Sequence, residues 1–284
     1  MDDLLNLLRS KYNYGDDLLN FLGTLIPIMI EYFGVEYKDK IISSFLETPI
    51  IMTNNTIGKE IGLDDPKLLL AGGAYCYEIN VENNNPTISS KVVIPNSPIR
   101  PFDFKNVRDV GRLVHEVCHM VKCGLIINFE ENIIINYCGL NQTIGSIDNN
   151  EFSTQSSNDA RGLDEALNAI DETLIMQKIY PDYELTSNYK RLVSYIWAMI
   201  DGNVELLNCI RQSQFNGSSD YREYLGIEIS EKLIKLCNMH YDLTVNRIFE
   251  LINNENLQKE LEDIEKELIG IIRQINEISS KQTL

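Results

Sequence analysis

The feature that most restricts this fold is a run of apolar residues at helical spacing between Asp103 and Cys123. Val107, Val110, Val114, Val117 and Val121 recur every three or four positions, with Leu113 beside Val114. That spacing predicts a helix with one buried face, with Asp103 as its candidate N-cap. Such a helix needs neighbours to cover it.

The flanking sequence supplies them. Leu4, Leu5, Leu7 and Leu8 open one helical segment, Asp16-Asp17 precede a second running to about Gly34, and Ile41 to Leu46 form a third. Tyr75 to Val81 and Lys91 to Pro95, joined through Asn83-Asn84-Asn85-Pro86, read as a hairpin. Pro98 and Pro101 mark a loop before the central helix. Leu125 to Phe129 and Ile133 to Tyr137 flank Glu130-Glu131-Asn132 as a second hairpin. Residues 141–160, rich in Asn, Ser and Asp, read as a long surface loop, and the chain after about Gly162 reads as helical. In the last helix Leu257, Leu261, Ile264, Leu268, Ile271, Ile275 and Ile278 make a heptad seam. The seam is expected to pack on the protein's own helices, with pairing to a second chain as the alternative. The class is α+β, with an α/β subdomain over 1–140 and a helical subdomain over 160–284.

Charge narrows the partners. The 284 residues carry 25 Lys+Arg against 42 Asp+Glu, a net charge of −17, which argues against a nucleic-acid surface and favours basic partners. The apolar stretch Phe21 to Ile30 contains Gly23, Thr24 and Pro27 and ends at Glu31. That is short of the roughly 20 residues a membrane span needs. Met1-Asp2-Asp3 is acidic where a secretory signal is basic. The six cysteines contain no CxxC pair, so they read as reduced core thiols. The expected location is cytoplasmic; a leaderless secreted protein would share these features.

Two of the three histidines stand in His115-Glu116-Val117-Cys118-His119, an HExxH motif within the central helix. Residues four apart on a helix differ by only about 40° in direction, so both imidazoles project from one face and can bind one zinc ion. Glu116 lies beside them, placed to take a proton from a water activated by the metal and pass it to a leaving amine. Cys118 reads as a small apolar core residue. A catalytic zinc takes three protein ligands. The compact pattern with a glycine three residues after the second histidine and a third histidine three further on is absent, because Lys122 and Leu125 stand there. The remaining source is a glutamate from the helix after Gly162. Glu165, 46 residues beyond His119, is the first candidate and Glu172, two turns on, the reserve. A glutamate in a first helical turn also has a purely structural use.

His115-Glu116-Val117-Cys118-His119 followed by Leu163-Asp164-Glu165-Ala166 resembles the gluzincin branch of the zincin metallopeptidases, the thermolysin-like group. It is especially similar to uncharacterised bacterial proteins in which HExxH precedes an "NEG" or "NEA" element. The likeness covers about 105–175. It implies a zincin-like fold, with a small twisted sheet beside the motif helix, a mainly helical second half, and a substrate cleft between. It implies His115, His119 and Glu165 as zinc ligands and Glu116 as general base in peptide hydrolysis. Asp164 stands where the family often has Asn, and Ala169 where thermolysin-like enzymes place a carboxylate against a zinc histidine. The support of the ligands is therefore left to Asn168, Asp171 or Asp109. Related enzymes use a His or Tyr from the helical half as oxyanion donor, which nominates His240 or Tyr241, with Tyr183 and Tyr195 open. The sheet edge near 91–95 is expected to align a peptide or protein substrate as an added strand. Two rival readings remain: a zincin-like protein-binding module with non-catalytic zinc, self-associating through the C-terminal helix, and a chance motif in a structural protein.

Overall fold

The structure, a computed structural model, describes residues 1–62, 72–98, 101–148 and 150–282. Residues 99 and 100 of the proline-marked loop lie outside it. Helices α1 (Asp2–Tyr12), α2 (Asp16–Phe33) and α3 (Lys38–Glu47) open the chain. Asn13 ends α1 in a left-handed conformation, its N–H bonded to the Arg9 carbonyl. In α2 the residues Leu18, Leu22, Leu25, Ile26 and Met29 are buried at the 3-4 spacing that makes the segment helical.

Strand β1 (Ile50–Thr53) and short helix α4 (Ile57–Ile61) lead to β2 (Ala74–Glu82) and β3 (Asn85–Pro95). The hairpin turn is Asn83-Asn84, with φ of 52° and 58°. Two left-handed residues make the tight turn that matches strand twist, and asparagine tolerates that conformation. The return strand therefore starts at Asn85, earlier than the valine run suggests, and Pro86 pairs with Val81. The sheet order is β1-β3-β2, with β1 parallel and β2 antiparallel to β3. Strand β3 is thus central, and Val92, Val93 and Ile94 are fully buried in it. The expectation of a sheet edge at 91–95 is corrected: the edges of this sheet are β1 and β2.

Helix α5 (Val107–Val121) follows. Asn106 accepts the Arg108 N–H and starts it, while Asp103, the expected cap, closes a separate turn by accepting from Lys105 N–H. Strands β4 (Cys123–Asn128), β5 (Ile133–Cys138), β6 (Asn141–Asp148) and β7 (Glu151–Asn158) form a second sheet in that order. The last two replace the expected loop over 141–160. Their polar side chains hide them in the sequence, because β7 is largely exposed and has little apolar alternation to show. The remaining helices are α6 (Arg161–Ile179), α7 (Lys190–Ile200), α8 (Val204–Asn216), α9 (Asp220–Leu225), α10 (Ile227–Tyr241), α11 (Ile248–Ile252) and α12 (Glu255–Gln282). The architecture is α+β. No helix among the described residues is long and apolar enough to cross a membrane, and none of the six cysteines is in a disulfide.

Two compact units share the chain. One comprises 1–121, 148–152 and 171–184, the other 122–147, 153–170 and 185–284. These bounds differ from a division at 140 and 160, because the second sheet belongs with the helices that follow it and α6 contributes to both units. In the second unit the α12 seam is buried against α7 and α10, with Leu268 and Ile275 at 0% exposure. The heptad pattern is therefore used within the chain.

The start of α6 is packed backbone to backbone on α10. A Cβ at Gly162 would stand 2.2 Å from the Cys237 carbonyl oxygen, and Gly162 N–H donates to Asn238 Oδ1 at 2.7 Å. Since the obstacle is main chain, Gly162→Ala must separate the helices. We expect a loss of about 1–3 kcal/mol, the usual cost of overpacking, in urea unfolding. An unchanged midpoint would show that the contact is soft.

Candidate metal centre

Helix α5 is closed on most of its surface. From Val110 to Val121 the residues that are not fully buried are Arg112, His115, Glu116 and His119. Their spacing of three, four and seven makes one stripe along the helix. The motif thus occupies the half-open face of an otherwise enclosed helix. Val117 and Cys118 face the core at 0% exposure.

The two imidazoles lie with ring centroids 5.1 Å apart and planes at 75°. His115 Nδ1 is 2.9 Å from Glu172 Oε2, on α6. With Nδ1 committed there, Nε2 is the ring atom His115 can offer a metal. One ligand atom each from His115, His119 and Glu165 lies within 4.8 Å of the others. Glu165 is the half-open residue in the buried run from Gly162 to Ile170. Two imidazoles and a carboxylate suit zinc, whose tetrahedral ligands at 2.0–2.2 Å stand about 3.4 Å apart. The donor set of these residues therefore fits that ion.

Glu172 acts differently from its reserve role as a ligand. Its Oε2 meets His115, and its Oε1 accepts the hydroxyl of Tyr183. Burial, then the nearby Glu172 charge, push the Tyr183 phenol far up, so it stays protonated and donates. Tyr183, a candidate oxyanion donor, is therefore engaged by Glu172. The carboxylate beside His115 stands three positions after Ala169.

The other supports named from the sequence each have a partner of their own. Asp171 accepts from Tyr32 at 2.7 Å. Asp109 pairs with Arg112 and accepts the Asp103 N–H. Asn168 accepts from Lys122 Nζ at 3.2 Å, a lysine only 1% exposed. Asp164, buried beside Glu165, accepts the Leu140 N–H at 2.9 Å. Its carboxylate thereby ties the first turn of α6 to the end of β5.

Glu116 Oε2 accepts the Tyr75 N–H at 2.7 Å. Gly73 makes room for this, since a Cβ there would lie 2.7 Å from Glu116 Cγ. The bond places the carboxylate at the start of β2, one of the two edge strands of its sheet. Sequence reasoning missed this backbone donor; the paired glycines Gly72-Gly73 before the strand were its one visible sign.

His240 has another occupation than the one expected. It lies in α10 at 0% exposure, its Nε2 3.3 Å from Glu265 Oε1, while Arg191 holds Glu265 Oε2 at 2.6 Å. Tyr195 packs against His240, with centroids 6.4 Å apart, and Tyr241 against Tyr189 at 5.3 Å. An imidazole so enclosed meets no substrate, and the oxyanion-donor role is withdrawn from it. Burial lowers its pKa, outweighing the raising effect of Glu265. The unfolded chain takes up that proton near pH 6.5 while the folded one resists it. The linked stability is therefore full above about pH 6.5 and lost as pH falls below it. Urea midpoints should drop on that side, and His240→Gln should flatten the slope. An identical slope would assign the acid sensitivity to carboxylates.

No family model, curated protein or solved structure matches the chain.

Proposed function

We propose that this protein is a zinc-dependent metallopeptidase of zincin-like, gluzincin type. The observation that carries the reading is the convergence of His115, His119 and Glu165 within 4.8 Å, with Glu116 on the same helical stripe. When bound, zinc would act as a Lewis acid that acidifies a water molecule. His115 and His119 would hold the metal through ring nitrogens, and Glu165 would add the negatively charged ligand. Glu116, positioned by the Tyr75 N–H bond to its Oε2, would be the carboxylate that takes up a proton and returns it to the departing amine. Alternation along an antiparallel strand turns the Tyr77 and Ile79 main-chain groups to the same side as Tyr75. A peptide laid along β2 would there start beside the base. The net charge of −17 favours basic peptides.

The purified protein should contain one zinc per chain and cleave a denatured basic protein, with cleavage abolished by a chelator and restored by zinc. Absence of bound zinc at stoichiometric supply overturns the reading. Bound zinc without hydrolysis moves it to a protein-binding module with non-catalytic metal.

A further inference from the structure

We infer that Tyr183 is a positioning residue for the metal centre, acting through Glu172 on His115. This rests on the metal-binding reading above and deepens it. The chain of contacts is continuous within one unit: the Tyr183 hydroxyl donates to Glu172 Oε1, and Glu172 Oε2 meets His115 Nδ1 at 2.9 Å. A carboxylate on a side chain with three rotatable bonds can turn either oxygen to the imidazole or swing away. Occupation of Oε1 by a donor on the far side removes that freedom. It leaves Oε2 as the acceptor of the Nδ1 proton, so His115 keeps the tautomer whose Nε2 lone pair is available to a metal.

Three further features show that the place is built for this pair. Gly111 stands one turn before His115 on α5, and a Cβ there would lie 2.5 Å from Tyr183 Oη and 3.1 Å from Glu172 Oε1. The space a side chain would fill is taken by the hydroxyl and the carboxylate. Tyr183 is held from its backbone as well, its N–H donating to the Tyr180 carbonyl at 2.9 Å and its carbonyl accepting from Gln177 Nε2 at 3.2 Å. Both Tyr183 and Glu172 are buried, at 7% and 6% exposure, so water does not substitute for the hydroxyl. Tyr183 touches neither a ligand atom nor a substrate; its effect passes through the carboxylate.

The test measures Zn2+ affinity by competition with a chromophoric chelator for the wild type, Tyr183→Phe, Glu172→Gln and the double variant. Loss of a supporting contact of this kind weakens metal binding by about 10–100-fold. Tyr183→Phe should fall at the lower end of that range and Glu172→Gln at the upper. The double variant should bind no more weakly than Glu172→Gln alone, because the hydroxyl acts only through the carboxylate that this substitution removes. The visible d–d bands of bound Co2+ should shift in both single variants. Gly111→Ala, which crowds the same pair from α5, gives a second route should Tyr183→Phe fold poorly, and should also weaken Zn2+ binding. Unchanged affinity in folded Tyr183→Phe, or losses that add in the double variant, would overturn the inference while leaving the metal centre standing. A wild type that binds no zinc would overturn both.

Discussion

Glu116→Gln is expected to retain zinc and to lose about 10²–10⁴-fold in hydrolysis, the usual contribution of a positioned general base. The substitution is nearly isosteric. The amide oxygen can still accept the Tyr75 N–H that now reaches Oε2 at 2.7 Å, so the side chain keeps its place at the start of β2. What is lost is the second carboxylate oxygen, replaced by an NH₂ that cannot take a proton. Metal retention should be unaffected because Glu116 is outside the group of His115, His119 and Glu165. Zinc content and cleavage measured on one preparation separate the two roles. Full activity would refute the assignment as base, and loss of zinc would make Glu116 a ligand.

Glu165→Ala should remove metal affinity with little effect on folding. Apparent binding energies of about 10–16 kcal/mol for four-ligand zinc sites put each ligand at roughly 2.5–4 kcal/mol, a loss of about 10²–10³-fold. Glu165 is half-exposed, and alanine is the best helix former, so α6 should survive. Its neighbours are different: Asp164 at 2% exposure and Glu172 at 6% are buried and bonded. Alanine at either would leave a buried donor unpaired and confuse metal loss with unfolding. Competition with a chelator, alongside thermal melting of the metal-free protein, reads both effects. An affinity equal to wild type would place the third ligand elsewhere.

The parts legible in the sequence were those with a local period. The apolar stripe of α5, the two hairpins and the heptad seam of α12 each repeat at a spacing that one element imposes. The motif was legible for the same reason, since His115 and His119 share a face by helical geometry alone. Strands β6 and β7 were not, because a largely exposed polar hairpin buries too little to impose alternation. Nor was the edge of the first sheet: the valine run at 91–95 reads as a candidate edge, yet β3 is central between β1 and β2. Strand order depends on which segment finds which partner, and that is not written in any one segment.

Histidines are where the division is sharpest. Local spacing by itself put His115 and His119 on one face of α5, with Glu116 between them in sequence. It was silent on what stands behind His115. The pairing of Glu172 with that imidazole spans 57 positions and needs α5 and α6 to approach closely at Gly111. His240, nominated only for lying in the helical half, is enclosed by Glu265 and Tyr195 in a separate cluster. Residues on one helix are fixed relative to each other by the backbone's own hydrogen bonds. Residues on different elements are fixed only by packing, and packing belongs to the tertiary structure.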